Sequence, residues 1–241
     1  MTEKLYTTDA YLDVCDARVV AVTPLGIVLD RTVAYARGGG QPGDTGTLTT
    51  DVATLELVDT FTDRDSGELI HQLAEGSAVP DVDAPVRVAI DVERRRTIMR
   101  THTALHALSG IVYSQFDAKV TGGNMEAGGT ARMDFELDHI SQEFGQEVEA
   151  RLNEALATGH DVHVLFLPRA EALADPDLIR TKVNLIPDHV DPIRVIDIEG
   201  IDKQADGGTH VRSTAEVGTV RVVKTESKGK GFKRMRIELQ D

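Results

Sequence analysis

One cysteine, Cys15, stands in 241 residues. That excludes an intrachain disulfide and any zinc site built from several cysteines. In its early strand-like segment Cys15 reads as a small buried hydrophobe. Long hydrophobic runs are also missing: nothing approaches the ~20 apolar residues that a helix needs to cross a bilayer. The opening "MTEKLYTTDAYLDV" lacks the apolar core of a signal peptide. The expected location is therefore the cytoplasm, with no membrane partner. Positive charge is in short supply, with 26 basic against 40 acidic residues and a net charge of −14. Broad phosphate contact depends on lysine and arginine, so that balance argues against a surface that binds polyanions everywhere.

The distribution departs from the total near the end of the chain. From Arg221 the sequence runs "RVVKTESKGKGFKRMRIEL", a local reversal of sign. Lys224, Lys228, Lys230, Lys233 and Arg234 are the candidate RNA-contacting residues in it. Read without other evidence, the same stretch is a solvated edge hairpin with protective lysines.

Residues 5 to 90 read as short strands separated by turns, among them "ARVVAVTPLGIVLD", "TVAYAR", "TGTLTT", "VATLELVDTFT", "ELIHQL" and "APVRVAI". A barrel-like β domain over 1–90 is expected. The pattern changes at "DVERRR", where Asp91 is suited to cap a helix and Glu93 to its first turn. Helical spacing of Ile98, His102, Leu105 and Val112 continues to about Gln115, with the apolar positions on one side. A second helix, "SQEFGQEVEARLNEALATG", ends at Gly159. A strand "DVHVLFLP", a short helix near "RAEALADPDLIR" and strands "PIRVIDIEG", "VGTVRVVKTES" and "FKRMRIEL" follow. The expected class is α+β, with an α+β domain over 91–241.

Two histidines, His102 and His106, stand four apart in the first helix and project from one face. Asp206 and His210 repeat the spacing around Gly207 and Gly208, which disfavour helix and suit a loop. Together they offer four groups for one ion if the fold brings them together. His71, His139, His160, His163 and His189 lie unpaired near element ends and read as surface or capping residues.

These residues have a family look. "GGGQPGDTG" (38–46), "MRTHTALHALSG" (99–110), "LIRTKVNLIP" (178–187), "DIEGIDKQADGGTHV" (197–211) and "VVKTESKGKGFKRMRIEL" (222–239) occur in this order. The chain resembles the free-standing alanyl-tRNA editing proteins, the AlaX family, related to the editing domain of alanyl-tRNA synthetase. The resemblance implies a trans-editing hydrolase. Such a protein cleaves the ester joining a wrong amino acid, chiefly serine and sometimes glycine, to tRNA specific for alanine. It implies one divalent metal, zinc being expected, on His102, His106, Asp206 and His210. The family pattern is HxxxH with CxxxH, so Asp206 stands where the family has cysteine. A carboxylate is a harder ligand than thiolate, which leaves the ion a stronger Lewis acid or opens the site to another divalent metal.

By the same resemblance Gln41, His102 and His106 are the catalytic candidates, and Gly39, Gly40, Gln41 and Thr209 the substrate-binding ones. The three glycines before Gln41 also read simply as a turn between strands. Discrimination against alanine requires a polar group that binds the serine hydroxyl, and Thr103 and Thr121 are both candidates. The glycine-rich "VTGGNMEAGGTARMDFEL" (120–137) is expected as a pocket-shaping loop. Two other readings stand beside the first: a tRNA-binding module altered in catalysis by Asp206, and a metal-dependent hydrolase of a small ester or amide. Nothing in the residues fixes the oligomeric state, and a monomer is the default expectation.

Overall fold

The computed structural model describes residues 1–175, 177–178 and 186–240. Most of "LIRTKVNLIP", and the end of the short helix expected near it, lie outside those residues. The chain forms two compact units, Met1–Thr97 and Ile98–Asp241. The fold is α+β.

The first unit contains β1 (Glu3–Lys4), β2 (Val14–Thr23), β3 (Gly26–Leu29), β4 (Arg31–Thr32), β5 (Gly46–Thr49), β6 (Thr54–Thr62), β7 (Leu69–Leu73) and β8 (Pro85–Ile90). Six of them close into a barrel in the order β2-β3-β7-β6-β5-β8. Alternation along each strand sends every second residue inward, so Val19, Ile27, Leu29, Leu48, Leu57 and Val88 fill the interior. Register shifts at Val19/Ala21 and Leu57/Asp59 add the local bending that lets a short sheet close. Closure removes the exposed edges that an open sheet would present. Cys15 packs against this core, and burial pushes its thiol pKa up.

Only the start of "TVAYAR" is strand. Side chains take the backbone donors there: Ala34 N–H donates to Thr32 Oγ1 (3.0 Å) and Tyr35 N–H to Asp44 (2.6 Å). That local pairing replaces a ladder. Asp44 also meets Arg95, which donates to the Val33 and Ala10 carbonyls (2.8 and 2.9 Å); both side chains are buried.

His71 is a correction to the sequence reading. It lies fully buried on β7 rather than at the surface, because period-two alternation places it on the inner side. Its Nδ1 faces the Ile27 carbonyl at 3.4 Å and its Nε2 faces Thr32 Oγ1 at 2.8 Å. Burial lowers its pKa to about 4. The folded value lies below the unfolded one, so its stability contribution is complete above about pH 6.5 and declines as pH falls toward 4. At about 1.4 kcal/mol per pKa unit the decline reaches about 3 kcal/mol. Urea midpoints across that window should fall less for His71→Gln than for the native chain. Parallel declines would show that His71 carries no such linkage.

The second unit is organised around α1 (Val92–Phe116), whose first turn belongs with the barrel. Asp91 caps it by accepting Arg94 N–H at 3.0 Å. The helix is not one-sided: every residue from Thr101 to Val112 is buried, as in a central helix with neighbours all round. β9 (Val120–Met125) and β10 (Thr130–Glu136) follow, then α2 (Gln142–Thr158) with Ser141 as N-cap and Gly159 in the left-handed region as C-cap. β11 (Val162–Leu167), α3 (Arg169–Ala174), β12 (Ile193–Ile198), β13 (Asp202–Ala205), β14 (Thr219–Ser227) and β15 (Phe232–Gln240) complete it.

Two antiparallel sheets result, β14-β15-β10-β9 and β11-β12-β13. On the edge strand β14, α2 supplies partners. Asn153 bonds both backbone groups of Val220 (2.7 and 2.8 Å) and Glu149 accepts Val222 N–H (2.6 Å). The expected glycine-rich loop is instead the β9–β10 hairpin. Pairing with β10 overrides the weak strand preference of Gly122 and Gly123.

Candidate metal centre

Four side chains from distant parts of the second unit converge. The helical rise stacks His102 and His106 one turn apart on α1, while Asp206 and His210 come from the loop after β13. One potential ligand atom from each lies within 4.8 Å of all the others. From the Asp206 carboxylate, His210 Nε2 is 3.2 Å away, His102 Nε2 3.6 Å and His106 Nε2 4.0 Å. Tetrahedral ligands at zinc bond lengths stand about 3.3 Å apart, so the set fits one ion after small adjustments. Gly110 permits the approach of the second pair. A Cβ there would meet the Ile201 carbonyl oxygen at 2.3 Å, so only glycine lets the turn before β13 lie against the helix.

The opposite side of each imidazole is held. His106 Nδ1 bonds Asp202 Oδ2 at 2.9 Å, and His210 Nδ1 bonds Thr103 Oγ1 at 3.1 Å, where Val211 N–H also donates at 3.3 Å. His102 bonds the Thr209 backbone. His210 Nε2 donates to Asp206 Oδ2 at 3.2 Å; with the outer nitrogens donating instead, the inner ones offer lone pairs that, beside a carboxylate, suit a cation. Asp206 is positioned too: its Oδ2 accepts Gly208 N–H at 2.6 Å and its carbonyl accepts from Arg194 at 2.9 Å.

For His102 and His210 the electrostatics favour the neutral ring. Burial lowers the His102 pKa to about 4. Burial and the neighbouring His102 carry His210 well below its usual value. For His106 burial acts downward, but the Asp202 hydrogen bond and the charges of Asp202 and Asp206 bring it above the usual value. Burial acts upward on Asp206, yet His102, His210 and His106 hold its carboxyl well below the ordinary range. Asp206 is thus ionised at neutral pH, ready to act as a ligand.

A family profile described as the threonyl and alanyl tRNA synthetase second additional domain matches residues 193–236, a span that contains Asp206 and His210. The alanyl-tRNA editing protein AlaX-M of Saccharolobus solfataricus is 34% identical over 98% of each chain. The AlaX-M protein of Methanosarcina mazei is 33% identical, with 100% of this chain and 98% of that one covered. The chain belongs to the AlaX-M family. An alanine–tRNA ligase of Methanococcus vannielii is 30% identical over 97% of this chain, which covers 25% of the ligase. AlaX-M similarity therefore runs through both units, while the ligase matches through one portion of a longer protein.

The remaining expected site residues occupy varied settings. Gly39 and Gly40 have φ of +59° and +84° and form a two-residue turn, closed by Gly38 N–H to Gln41 O (3.1 Å) and Gln41 N–H to Gly38 O (2.9 Å). Positive φ at both central positions is what glycine supplies at low cost. Gln41, at the end of the turn, is buried in the first unit. Thr209 is fully buried. Of the two threonines considered for the substrate hydroxyl, Thr103 has the contacts with His210 and Val211, and Thr121 is half-buried on β9.

In the basic segment several charges have acidic or backbone partners within the protein. Lys224 and Arg236 both pair with Glu226 (3.0 and 2.9 Å) and draw its carboxyl pKa down to about 2. Arg234 pairs with Asp134 at 2.6 Å. Lys233 is buried and donates to the Gly229 carbonyl at 3.1 Å. Lys228 and Lys230 are exposed on the β14–β15 turn.

Sequence reasoning missed Asp202, Arg194 and Gln204. A signal for one pair was present: in "DKQA" Asp202 and Gln204 alternate on one side of a strand, just before the Asp206 ligand. No helix among the described residues is long and apolar enough to cross a membrane.

Proposed function

We propose that this chain is a trans-editing hydrolase that removes a wrong amino acid, chiefly serine and also glycine, from tRNA specific for alanine. The observation that carries the metal-centred reading is the convergence of His102, His106, Asp206 and His210, each histidine fixed from behind. The AlaX-M relatives, alanyl-tRNA editing proteins by name, supply the substrate class.

A divalent ion, zinc by ligand type, supplies Lewis-acid charge beside an ester when bound. The chain's own residues do the rest. Asp202, Thr103 and Thr209 fix the three imidazole rings, so their inner nitrogens are presented without reorganisation. Asp206 brings negative charge to the set and Arg194 anchors its backbone. By the family resemblance Gln41 is the residue assigned to contact the acylated end of the tRNA, through an amide that can both donate and accept.

Lys228 and Lys230, at the tip of the terminal hairpin, are the phosphate contacts best placed to bind RNA. The glycines around them allow backbone amides to approach as well. Lys224, Lys233 and Arg234 belong to the same segment and hold its shape through their internal partners. Most of the surface charge is negative, so the footprint on tRNA should be small.

The test is deacylation of seryl-, glycyl- and alanyl-tRNA specific for alanine, set beside a free seryl ester. Rapid loss of serine from tRNA, slow loss of alanine and little action on the free ester are expected. Turnover of the free ester at the tRNA rate would favour a small-ester hydrolase, and binding without turnover a tRNA-binding module. In the same assay Lys228→Glu with Lys230→Glu should raise KM severalfold, leave single-turnover rates near native, and reduce the log–log salt slope by roughly one to two units. An unchanged KM and slope would place RNA contact elsewhere.

A further inference from the structure

We infer that Asp202 is a positioning residue for the metal centre, acting on the ion through His106 and itself locked by Gln204. The inference rests on the metal-centred reading above and extends it to a residue outside the HxxxH and DxxxH pairs.

The side chain of Asp202 has no solvent exposure. Its Oδ2 lies 2.9 Å from His106 Nδ1. Gln204 Nε2 donates to both carboxylate oxygens, at 3.0 and 2.8 Å, and also to Ser109 Oγ at 3.2 Å. Asp202 thus sits between a strand neighbour and the helix that carries His106. Ser109 is one turn further along that helix, so Gln204 ties β13 to α1 beside the carboxylate. Gly110 leaves the space this junction requires: its missing Cβ would also lie 3.0 Å from Asp202 Cβ.

Burying a carboxylate is costly unless its oxygens are satisfied. A residue kept there for packing alone would be better apolar. This one points at the outer nitrogen of a ligand, and three physical effects follow. The acceptor fixes His106 as the tautomer with its proton on Nδ1, so Nε2 carries the lone pair. The hydrogen bond sets the plane of the ring. The negative charge strengthens the donor power of Nε2. On the outer side of the rings His106 meets a carboxylate, while His210 meets the Thr103 hydroxyl and His102 the Thr209 backbone. The charge count agrees. Asp202 and Asp206 contribute two negative charges, and Arg194 one positive charge 3.8 Å from Asp206, which leaves one net negative charge that favours a bound cation.

Metal affinity of the full-length protein, measured by competition with a chromophoric chelator, and the visible spectrum of the cobalt-substituted form test this. Neither needs tRNA. Asp202→Asn keeps shape and one acceptor but removes the charge. It should weaken cobalt and zinc binding on the order of 10-fold and shift the cobalt bands. Asp202→Ala should weaken binding further. Thermal unfolding in excess chelator should be nearly the same for Asp202→Asn and the native chain, which separates positioning from folding. The decisive comparison uses His106→Ala: once His106 is gone, adding Asp202→Asn should cost nothing more in affinity. Native affinity and an unshifted spectrum in Asp202→Asn would overturn the inference, as would an equal loss in the His106→Ala background. If the native protein itself takes up no metal, the metal-centred reading fails with it. If it binds metal and Asp202→Asn does too without change, only the role of Asp202 fails.

Discussion

Asp206→Ala is expected to abolish stable metal retention and, with it, deacylation of mischarged tRNA. The change removes one of four converging groups, and the one that carries negative charge among three histidines. Loss of an outer partner alone costs roughly 10–100-fold in affinity or activity, so loss of a ligand should cost on the order of 100-fold or more. Alanine also removes the acceptor for Gly208 N–H, which loosens the loop that carries His210. Asp206→Asn separates the two effects. It can still close the turn, but as a neutral and poorer ligand, so it should retain the fold of the loop while losing most metal. Asp206→Cys should bind zinc at least as well, since thiolate is a good zinc ligand. Metal analysis of dialysed protein beside single-turnover deacylation measures both properties. Native occupancy and rate in Asp206→Ala would reduce this residue to a turn-former.

The second large effect belongs to the barrel unit and to stability. Asp44→Ala should lower the unfolding free energy of that unit by about 3–5 kcal/mol, the usual consequence of stranding one member of a buried ion pair. Arg95 and Asp44 are 2% and 1% exposed in their side chains. Asp44 does more than neutralise Arg95: it also accepts Tyr35 N–H, and its carbonyl accepts the Thr60 hydroxyl at 3.1 Å. Removing the carboxylate takes away both the countercharge of a buried guanidinium and the acceptor of Tyr35 N–H. Arg95→Met added to Asp44→Ala should recover part of the loss, because the double variant no longer buries a lone charge. Denaturant unfolding followed by a probe in the barrel reports this. A loss under about 1 kcal/mol for Asp44→Ala, on the scale of exposed pairs, would mean that water reaches Arg95.

Local pattern in the sequence determined a good deal. Spacing of four on a helix put His102 and His106 on one face, since 3.6 residues complete a turn. Ser141 and Gly159 bounded α2 because a hydroxyl can accept an orphan helix N–H and glycine tolerates a left-handed φ. Alternation in "TLELVDTFT" and "PVRVAI" made them strands with one inward side, and a barrel was foreseen from their number and turns. Gly207 and Gly208 marked a loop around the second ligand pair.

Only the tertiary structure decided whether those pairs meet. Nothing local to residues 102–106 reports where 206–210 will lie. That distance is set by the packing of α1 against β13 and the turn before it, and by the absent Cβ at Gly110. The same holds for Asp202, whose role appears only when β13 lies against the helix. Inward turning of Lys233 and the pairings of Arg234 and Lys224 likewise depend on partners across strands. For His71 and for Gly122–Gly123, long-range register overrode local preference: one was drawn into the barrel and the other pair into a strand. Periodicity encodes which side of an element is buried, whereas the neighbour it meets is fixed by many weak contacts between residues far apart in the chain.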